Sequence, residues 1–397
     1  MPIEFSLTPD QEAFRDATRA FLQKEVAPVV AEMDEKEEFP AASVKRMAEE
    51  GYFGVPIPEE WGGLGLGKVG YCIFLEELGK VDASHGVIVG AHTSLGTTPL
   101  LYYGTEEQKR RWLVPAAKGE KLLAFSLTEP GSGSDSGAVH TVAERQGDKW
   151  VLTGNKIYVS NGREASAVVV MAGNDVKLGP NGGVTAFIVD TNRPGFSVGR
   201  CEKKMGLHGT STAELILDHV ELGPEHVLGE VGKGFHVAMT ALDVGRVSLG
   251  AASLGGIEAA TTLAVEFSKN RTQFGLPISE YQAIQFKIAD MAMRAQALRF
   301  LVYHAAAHQD ELGTDPKSWT RLQRAEKTRE AAIVKCLASE WASEVIDEAL
   351  QIHGGIGYIR GTSIERAYRD ARISEIFEGT NEIQRLVISR DVLTRGL

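Results

Sequence analysis

Trp150-Val-Leu-Thr153, Lys156-Ile-Tyr-Val-Ser160, Ala167-Val-Val-Val-Met171, Val184-Thr-Ala-Phe-Ile-Val189 and Ala213-Glu-Leu-Ile-Leu217 are short runs rich in β-branched and aromatic residues. Gly, Asn, Asp and Pro separate them at close intervals, the punctuation of neighbouring strands. The spacers are too short for the crossover helices of parallel strands, so the runs read as antiparallel sheet. Val151 and Thr153 alternate with Leu152, and Glu214 and Ile216 with Leu215, as on a sheet with two unlike faces. Residues 123–235 are therefore expected to form a small all-β domain in a chain of 397 residues.

On both sides of it the period changes to that of helices. In residues 1–122, Thr8-Pro-Asp-Gln11 supplies an N-cap with Pro at the first helical position. Phe14, Ala17, Phe21 and Leu22 follow at helical spacing, and further helical runs cover Ala41 to Glu50, Tyr71 to Gly79 and Glu106 to Lys118. In residues 236–397 the helical runs are Val237 to Lys269, Tyr281 to Glu311, Trp319 to His353, Ser363 to Ile376 and Asn381 to Leu393. The expected fold class is α+β in three domains: N-terminal helices, a central antiparallel β-domain and a C-terminal four-helix bundle.

A hydrophobic share of 43% and a charged share of 24% are those of an ordinary soluble globular protein. The net charge of −11 argues against a nucleic-acid surface, which would be basic. Cys72, Cys201 and Cys336 are odd in number and widely spaced, as expected in a reducing compartment. No basic leader is recognised and no run of about 18 apolar residues is apparent, so no membrane insertion is expected. The expected location is cytoplasmic and bacterial-like, or alternatively the mitochondrial matrix in mature form.

Several stretches bear on chemistry. Gly62 and Gly67-Lys68 approach a phosphate-binding loop, but Val69 stands where the magnesium-binding hydroxyl must be. Leu127-Thr-Glu-Pro-Gly-Ser-Gly-Ser-Asp-Ser-Gly137 reads either as a flexible linker or as a close-approach loop for phosphate or a heterocycle edge. It is not a Rossmann fingerprint, since Ser136 takes the third glycine position and strands follow. Asn270-Arg-Thr-Gln-Phe-Gly275 is either a plain connecting turn or a place where Arg271 meets a pyrophosphate and Phe274 stacks on a ring. Gln351-Ile-His-Gly-Gly-Ile-Gly357 reads as a helix end closed by Gly, or as a second close-approach segment. Asp243 and Arg246 lie one turn apart, able to pair with each other or to meet a ligand. Glu378, between Phe377 and Gly379, is either a solvated helix-end carboxylate or a base with a raised pKa. The ten histidines have no metal-ligand spacing and no metal is expected; a G-x-S-x-G elbow is also missing.

Taken in order, these stretches resemble the acyl-CoA dehydrogenase family over nearly the whole chain. The most specific are Leu127-Thr-Glu-Pro-Gly-Ser-Gly-Ser-Asp135 and Phe377-Glu-Gly-Thr380 with Ile383-Gln-Arg385. The resemblance implies non-covalent FAD, a homotetramer, an acyl-CoA substrate and an electron-transferring flavoprotein as partner. It assigns flavin contacts to Phe125, Leu127, Thr128, Gly133, Ser134, Tyr158, Ser160, Thr380 and Glu382. Arg271, Gln273, Phe274, Gln282, Gln351, Gly354 and Gly355 match segments that reach FAD, those around Arg271 and Gln351 across a subunit interface. Ser134, Asp243, Arg246 and Gly379 match positions that contact acyl-CoA.

Glu378 matches the base of most members. Some relatives carry it on the long helix, immediately before the arginine matched by Arg246; here that residue is Gly245, which accepts no proton. The implied reaction is α,β-dehydrogenation of a short- or medium-chain acyl-CoA to trans-2-enoyl-CoA. Glu378 takes the α proton and FAD N5 the β hydride, with the thioester oxygen held by the Glu378 N–H and a ribityl hydroxyl. Tyr158 departs from the Trp that many relatives carry beside the flavin. Two other readings are an O2-using flavin oxidase or monooxygenase on the same fold, and a non-catalytic acyl-CoA-binding subunit.

Overall fold

The computed structural model describes residues 6–396; residues 1–5 and Leu397, at the outer edges of the expected terminal domains, lie outside them. The N-terminal section comprises α1 (Pro9–Glu25), α2 (Val30–Lys36), α3 (Ala41–Glu49), α4 (Gly67–Gly79), α5 (Ala83–Val89) and α6 (Thr98–Tyr103), with shorter helical turns between and after them. The expected cap at Thr8 is a full capping box: its hydroxyl accepts from the Gln11 N–H while the Gln11 side chain accepts from the Thr8 N–H.

The middle section is one eight-stranded sheet: β1 (Leu123–Ser126), β2 (Val142–Gln146), β3 (Lys149–Ser160), β4 (Ala167–Gly173), β5 (Val184–Asp190), β6 (Phe196–Cys201), β7 (Thr212–Leu222) and β8 (Val227–Leu228). The strand order is β6-β7-β3-β2-β4-β5-β8, with β1 beside β4. The runs at Trp150 and Lys156 are one strand, whose register against β7 shifts between Leu152 and Gly154 and again between Lys156 and Val159. The sheet is antiparallel with one correction: β1 runs parallel to β4, pairing Leu123 with Ala167 through Ser126 with Val170, and β2 touches β4 in parallel at Val142 and Gly173. The antiparallel inference counted only the spacers between adjacent runs. The chain from 127 to 166, hairpin β2–β3 included, is the long crossover that a parallel pair requires.

The C-terminal section comprises α7 (Gly234–Asn270), α8 (Gln282–Leu312), α9 (Arg321–His353), α10 (Ser363–Ala371) and α11 (Asn381–Arg395). The run expected to stay helical to Ile376 ends at Ala371 and tightens into a 3₁₀ turn, Arg372–Glu375, that leads into the Glu378 loop. Helix α7 corrects one expectation, for by length and composition it holds an 18-residue window apolar enough to cross a membrane, with a mean hydropathy of 1.2. That apolar window is 78% buried inside the protein, as in a core helix.

Three apolar cores hold the sections together. One joins Leu22, Phe74 and Leu78 to Leu254, Leu298 and Val345, so the N- and C-terminal helices share a single interior. A second joins Leu100 and Trp112 to Met171 and Ile188 on one face of the sheet and to Val237 and Ala238 of α7. The third, around Trp150, Phe187 and Leu215, lies within the sheet. A cleft between the inner end of the sheet and α7 is thereby fixed from both sides.

Candidate active site

The cleft opens into a cavity of about 1470 Å³ lined by β1, the following loop, the outer half of β3, α7 and the Glu378 loop. The loop after β1 is built, not flexible. Glu129 and Ser132 exchange backbone hydrogen bonds of 3.0 Å, and the Thr128 carbonyl accepts the Ile157 N–H. Beneath it Glu129, 3% exposed, meets the fully buried Lys156 Nζ at 2.6 Å. The carboxylate also accepts the backbone N–H groups of His140 and Thr141, and Lys156 donates a second bond to the Leu127 carbonyl. This pair, which the sequence reading missed, shapes the loop; a Glu inside a Gly/Ser run followed by a Lys in an apolar strand was the available signal.

Opposite that loop stands Glu378. It and Gly379 both have left-handed backbones, with φ of 55° and 88°. For a non-glycine residue this costs about 1–2 kcal/mol and persists only where surroundings impose it. Here Arg246 Nε donates to the Glu378 carbonyl at 3.1 Å, and Gln384 Nε2 donates to the Glu378 and Gly379 carbonyls at 3.3 and 2.9 Å. A Cβ at 379 would be strained by the positive φ and would lie 2.5 Å from Gln384 Nε2, displacing the amide that holds the loop. Thr380 then caps α11 through its hydroxyl.

Glu378 Oε2 is out of contact with solvent and has no hydrogen-bond partner among the described residues. Burial pushes its carboxyl up to about 7, against the opposing charges of Arg246 and Lys335. The Glu378 N–H also has no acceptor among the described residues, so donor and base sit on one residue at the cavity wall.

Asp243 and Arg246 pair at 2.9 Å and are both buried. Thr328 Oγ1 donates to Asp243 Oδ2 at 2.6 Å and Lys327 Nζ stands 3.8 Å from the same oxygen. Arg246 therefore links a buried carboxylate on α7 to the backbone of the Glu378 loop, while both residues still line the cavity.

The cavity gathers Phe125, Leu127, Thr128, Gly133, Ser134, Tyr158, Ser160, Asp243, Arg246, Glu378, Gly379 and Thr380 from the sequence-derived set. Glu382 is near but is not part of its wall. Arg271, Gln273, Phe274, Gln282, Gln351, Gly354 and Gly355 are exposed and outside this wall. The hairpin β9 (Thr272–Gln273)–β10 (Leu276–Pro277) presents Phe274 at 96% exposure. The end of α7 that leads into the hairpin packs on the end of α9, where Phe267 stacks on His353 with centroids 4.4 Å apart. The two segments thus share one end of the helical section. Among the described residues no group of three or more His, Cys, Asp or Glu is placed to hold a metal.

The chain matches the acyl-CoA dehydrogenase N-terminal domain over residues 8–120, the middle domain over 124–220 and the C-terminal domain over 232–393. The chain belongs to the acyl-CoA dehydrogenase family. It is 44% identical to an acyl-CoA dehydrogenase of Bacillus subtilis, over 98% of this chain and 99% of that one. It is 43% identical to the mitochondrial short-chain specific acyl-CoA dehydrogenase of Bos taurus, over 98% of this chain and 91% of that one. Among solved structures, butyryl-CoA dehydrogenase of Megasphaera elsdenii superposes with a TM-score of 0.93 at 40% identity, covering 98% of this chain and all of the other. A chain from a study of the electron transferring flavoprotein of Acidaminococcus fermentans has the same TM-score at 43% identity, with 98% of this chain and 100% of that chain covered.

The acyl-CoA dehydrogenase family is an FAD-dependent oxidoreductase family. Its member from Bacillus anthracis, solved with FAD, is 34% identical with a TM-score of 0.90, covering 98% of this chain and 68% of that one. The cavity fits such a group: Ser126 Oγ, on its wall, is buried without a partner among the described residues, and the apolar rings of Phe125 and Tyr158 flank the built loop.

Proposed function

We propose that this acyl-CoA dehydrogenase converts a short- or medium-chain acyl-CoA to its trans-2-enoyl thioester, with Glu378 as the base. The observation that carries this reading is the unpartnered Glu378 carboxylate at the cavity wall, its pKa raised to about 7 by burial. A carboxylate with that proton affinity is matched to work near neutral pH, which an exposed Glu is not. The free N–H of the same residue supplies a donor for the thioester oxygen, where negative charge develops as the α proton leaves. Arg246 and Gln384 keep that donor and the carboxylate in fixed relation by holding the loop's carbonyls.

FAD, when bound, supplies the acceptor for the two electrons that leave with the β hydrogen. Phe125, Leu127, Thr128, Gly133, Ser134, Tyr158 and Ser160 would hold it against the sheet, with Thr380 and Glu382 on the opposite side. Electrons then pass to an electron-transferring flavoprotein. The exposed Phe274 hairpin and the Gln351–Gly355 turn would complete the cofactor site of another copy in a homotetramer, in a bacterial cytoplasm or the mitochondrial matrix. Exposed apolar side chains in both segments, Phe274 and Leu276 in the hairpin and Ile356, Tyr358 and Ile359 after the turn, support that assignment.

The test is the visible spectrum of the purified protein during addition of acyl-CoAs of increasing length. Bleaching by one length class, lost in Glu378→Gln with ligand binding retained, is the expected result. Bleaching retained in Glu378→Gln would move the base elsewhere, and rapid reoxidation by air would favour an oxidase.

A further inference from the structure

Lys335 lies in the middle of α9 and is fully buried. Its Nζ donates to Asn381 Oδ1 at 2.7 Å, and Ser339 Oγ donates to the same oxygen at 3.1 Å. Asn381 is the first residue of α11, immediately behind the Glu378 loop. The ammonium has no ion-pair partner among the described residues, its hydrogen bond going to a neutral amide. A buried cation so placed is costly unless an opposite charge compensates it.

The nearby carboxylates narrow the choice. Glu340 is engaged by Arg385 at 2.5 Å and by Asn381 Nδ2 at 3.3 Å. Glu375 accepts from Ser343 Oγ at 2.6 Å and lies 3.2 Å from Arg372. Of Glu340, Glu375 and Glu378, it is Glu378 that keeps a buried oxygen without a hydrogen-bond partner among the described residues. Burial lowers the Lys335 ammonium to about 8, and the attraction of Glu378 is the largest effect opposing this, ahead of Cys336 and Glu375, while Arg246 adds to the lowering. Seen from Glu378, the charged groups are Arg246 on α7 and Lys335 on α9; Tyr71 on α4, pushed up by burial, is neutral.

We propose that Lys335 is a positioning residue for the base: its ammonium, fixed by Asn381 behind the loop, supplies the buried Glu378 carboxylate with a second opposing charge before a ligand closes the cavity. The inference rests on Glu378 being the base, but its physical content is a charge–charge coupling that can be read without turnover. Arg246 exerts the larger attraction on Glu378, but its guanidinium is shared with Asp243 and a backbone carbonyl; Lys335 adds a charge that no carboxylate pairs among the described residues.

The experiment is an infrared pH titration of the Glu378 carboxyl in the purified protein without substrate, its band identified by loss in Glu378→Gln. Lys335→Gln keeps an amide donor for Asn381 without the charge, Lys335→Met keeps only the volume, and Lys335→Arg keeps the charge. The midpoint is expected to rise by about one unit or more in both the Gln and Met variants and to stay near that of the parent in the Arg variant. In turnover, the acid limb of the pH–rate profile should move by the same amount with the high-pH rate preserved. An unmoved midpoint in Lys335→Gln and Lys335→Met, or a shift in Met alone, would overturn the proposal and leave Lys335 a packing residue. If instead no acyl-CoA bleaches the parent while the midpoint still shifts, the dehydrogenase reading fails and the coupling stands.

Discussion

A Cβ built on Gly245 would stand 2.6 Å from Oε2 of Glu378, so the long helix and the C-terminal loop point at one spot in the cavity. The glycine is there because the carboxylate fills its side-chain space. Gly245→Ala should therefore fold, since the nearest atoms are the ends of Glu378 and Leu95, but should displace the base. A misplaced base loses about 100-fold in rate, so stopped-flow flavin reduction should fall by that order. The same geometry predicts that Gly245→Glu combined with Glu378→Gly recovers part of the bleaching lost in Glu378→Gly alone. A carboxylate growing from 245 enters the vacated volume.

The raised Glu378 carboxyl also carries a stability signature. Its folded-state pKa of about 7 lies above its ordinary value of 4.5, so the native state binds the extra proton between those two pH values. Stability contributed by the neutral form is complete below about pH 4.5 and is lost as pH rises through 7. Glu378→Gln should thus be more stable than the parent at pH 8, by about 1–3 kcal/mol, and equal to it near pH 4.5. Thermal melts of both proteins across that range check the sign; a larger gain at low pH would contradict it.

Arg246 acts through two different nitrogens, Nε on the Glu378 carbonyl and Nη1 on Asp243. A lysine has one point charge and cannot make both bonds in those directions. Arg246→Lys is expected to cost about 1–3 kcal/mol in stability and to lower kcat more than it raises KM, because the loop that carries the base loosens. Urea denaturation and flavin-reduction rates measure the two effects separately. A rise in KM alone would mean that Arg246 serves ligand binding and not the loop.

The helices and four of the eight sheet strands were readable because their periods are local: Thr8 caps, Pro9 follows, and Phe14 to Leu22 repeat at one face. The β1–β4 pairing was not, since parallel partners 44 residues apart, such as Leu123 and Ala167, leave no mark in the spacers between adjacent runs. Val142–Gln146 and Phe196–Cys201 escaped as strands because most of their residues face solvent or lie only half buried, so no apolar run announces them. At the site, residues carried by family motifs were found and those that only support them were not. Lys335 and Glu129 are buried polar groups whose partners Asn381 and Lys156 lie far along the chain, and Gln384 holds backbone carbonyls of a turn that no residue pattern announces. The inference that Gly245 cannot be the base needed only its missing side chain; that it makes room for Glu378 needed the fold.

Lys156 offers the last test, on the opposite wall. Lys156→Met would leave Glu129 buried with the backbone donors of His140 and Thr141, 2.6 and 2.9 Å away, and the exposed His140 ring 3.5 Å from its Oε2, but with no buried cation. Stranding one member of a buried pair costs about 3–5 kcal/mol, whereas removing both charges is often close to neutral. The single variant should melt early and retain less FAD after gel filtration, because the Leu127 carbonyl loses its lysine donor and the built loop loses its base. Adding Glu129→Gln should restore much of the stability, since an amide oxygen still accepts a backbone N–H without a charge to bury. Visible absorbance then separates two roles for the pair. FAD retained in the double variant means that the loop needs shape alone; FAD lost despite a restored melt means that the charge pair itself holds the loop in its binding form.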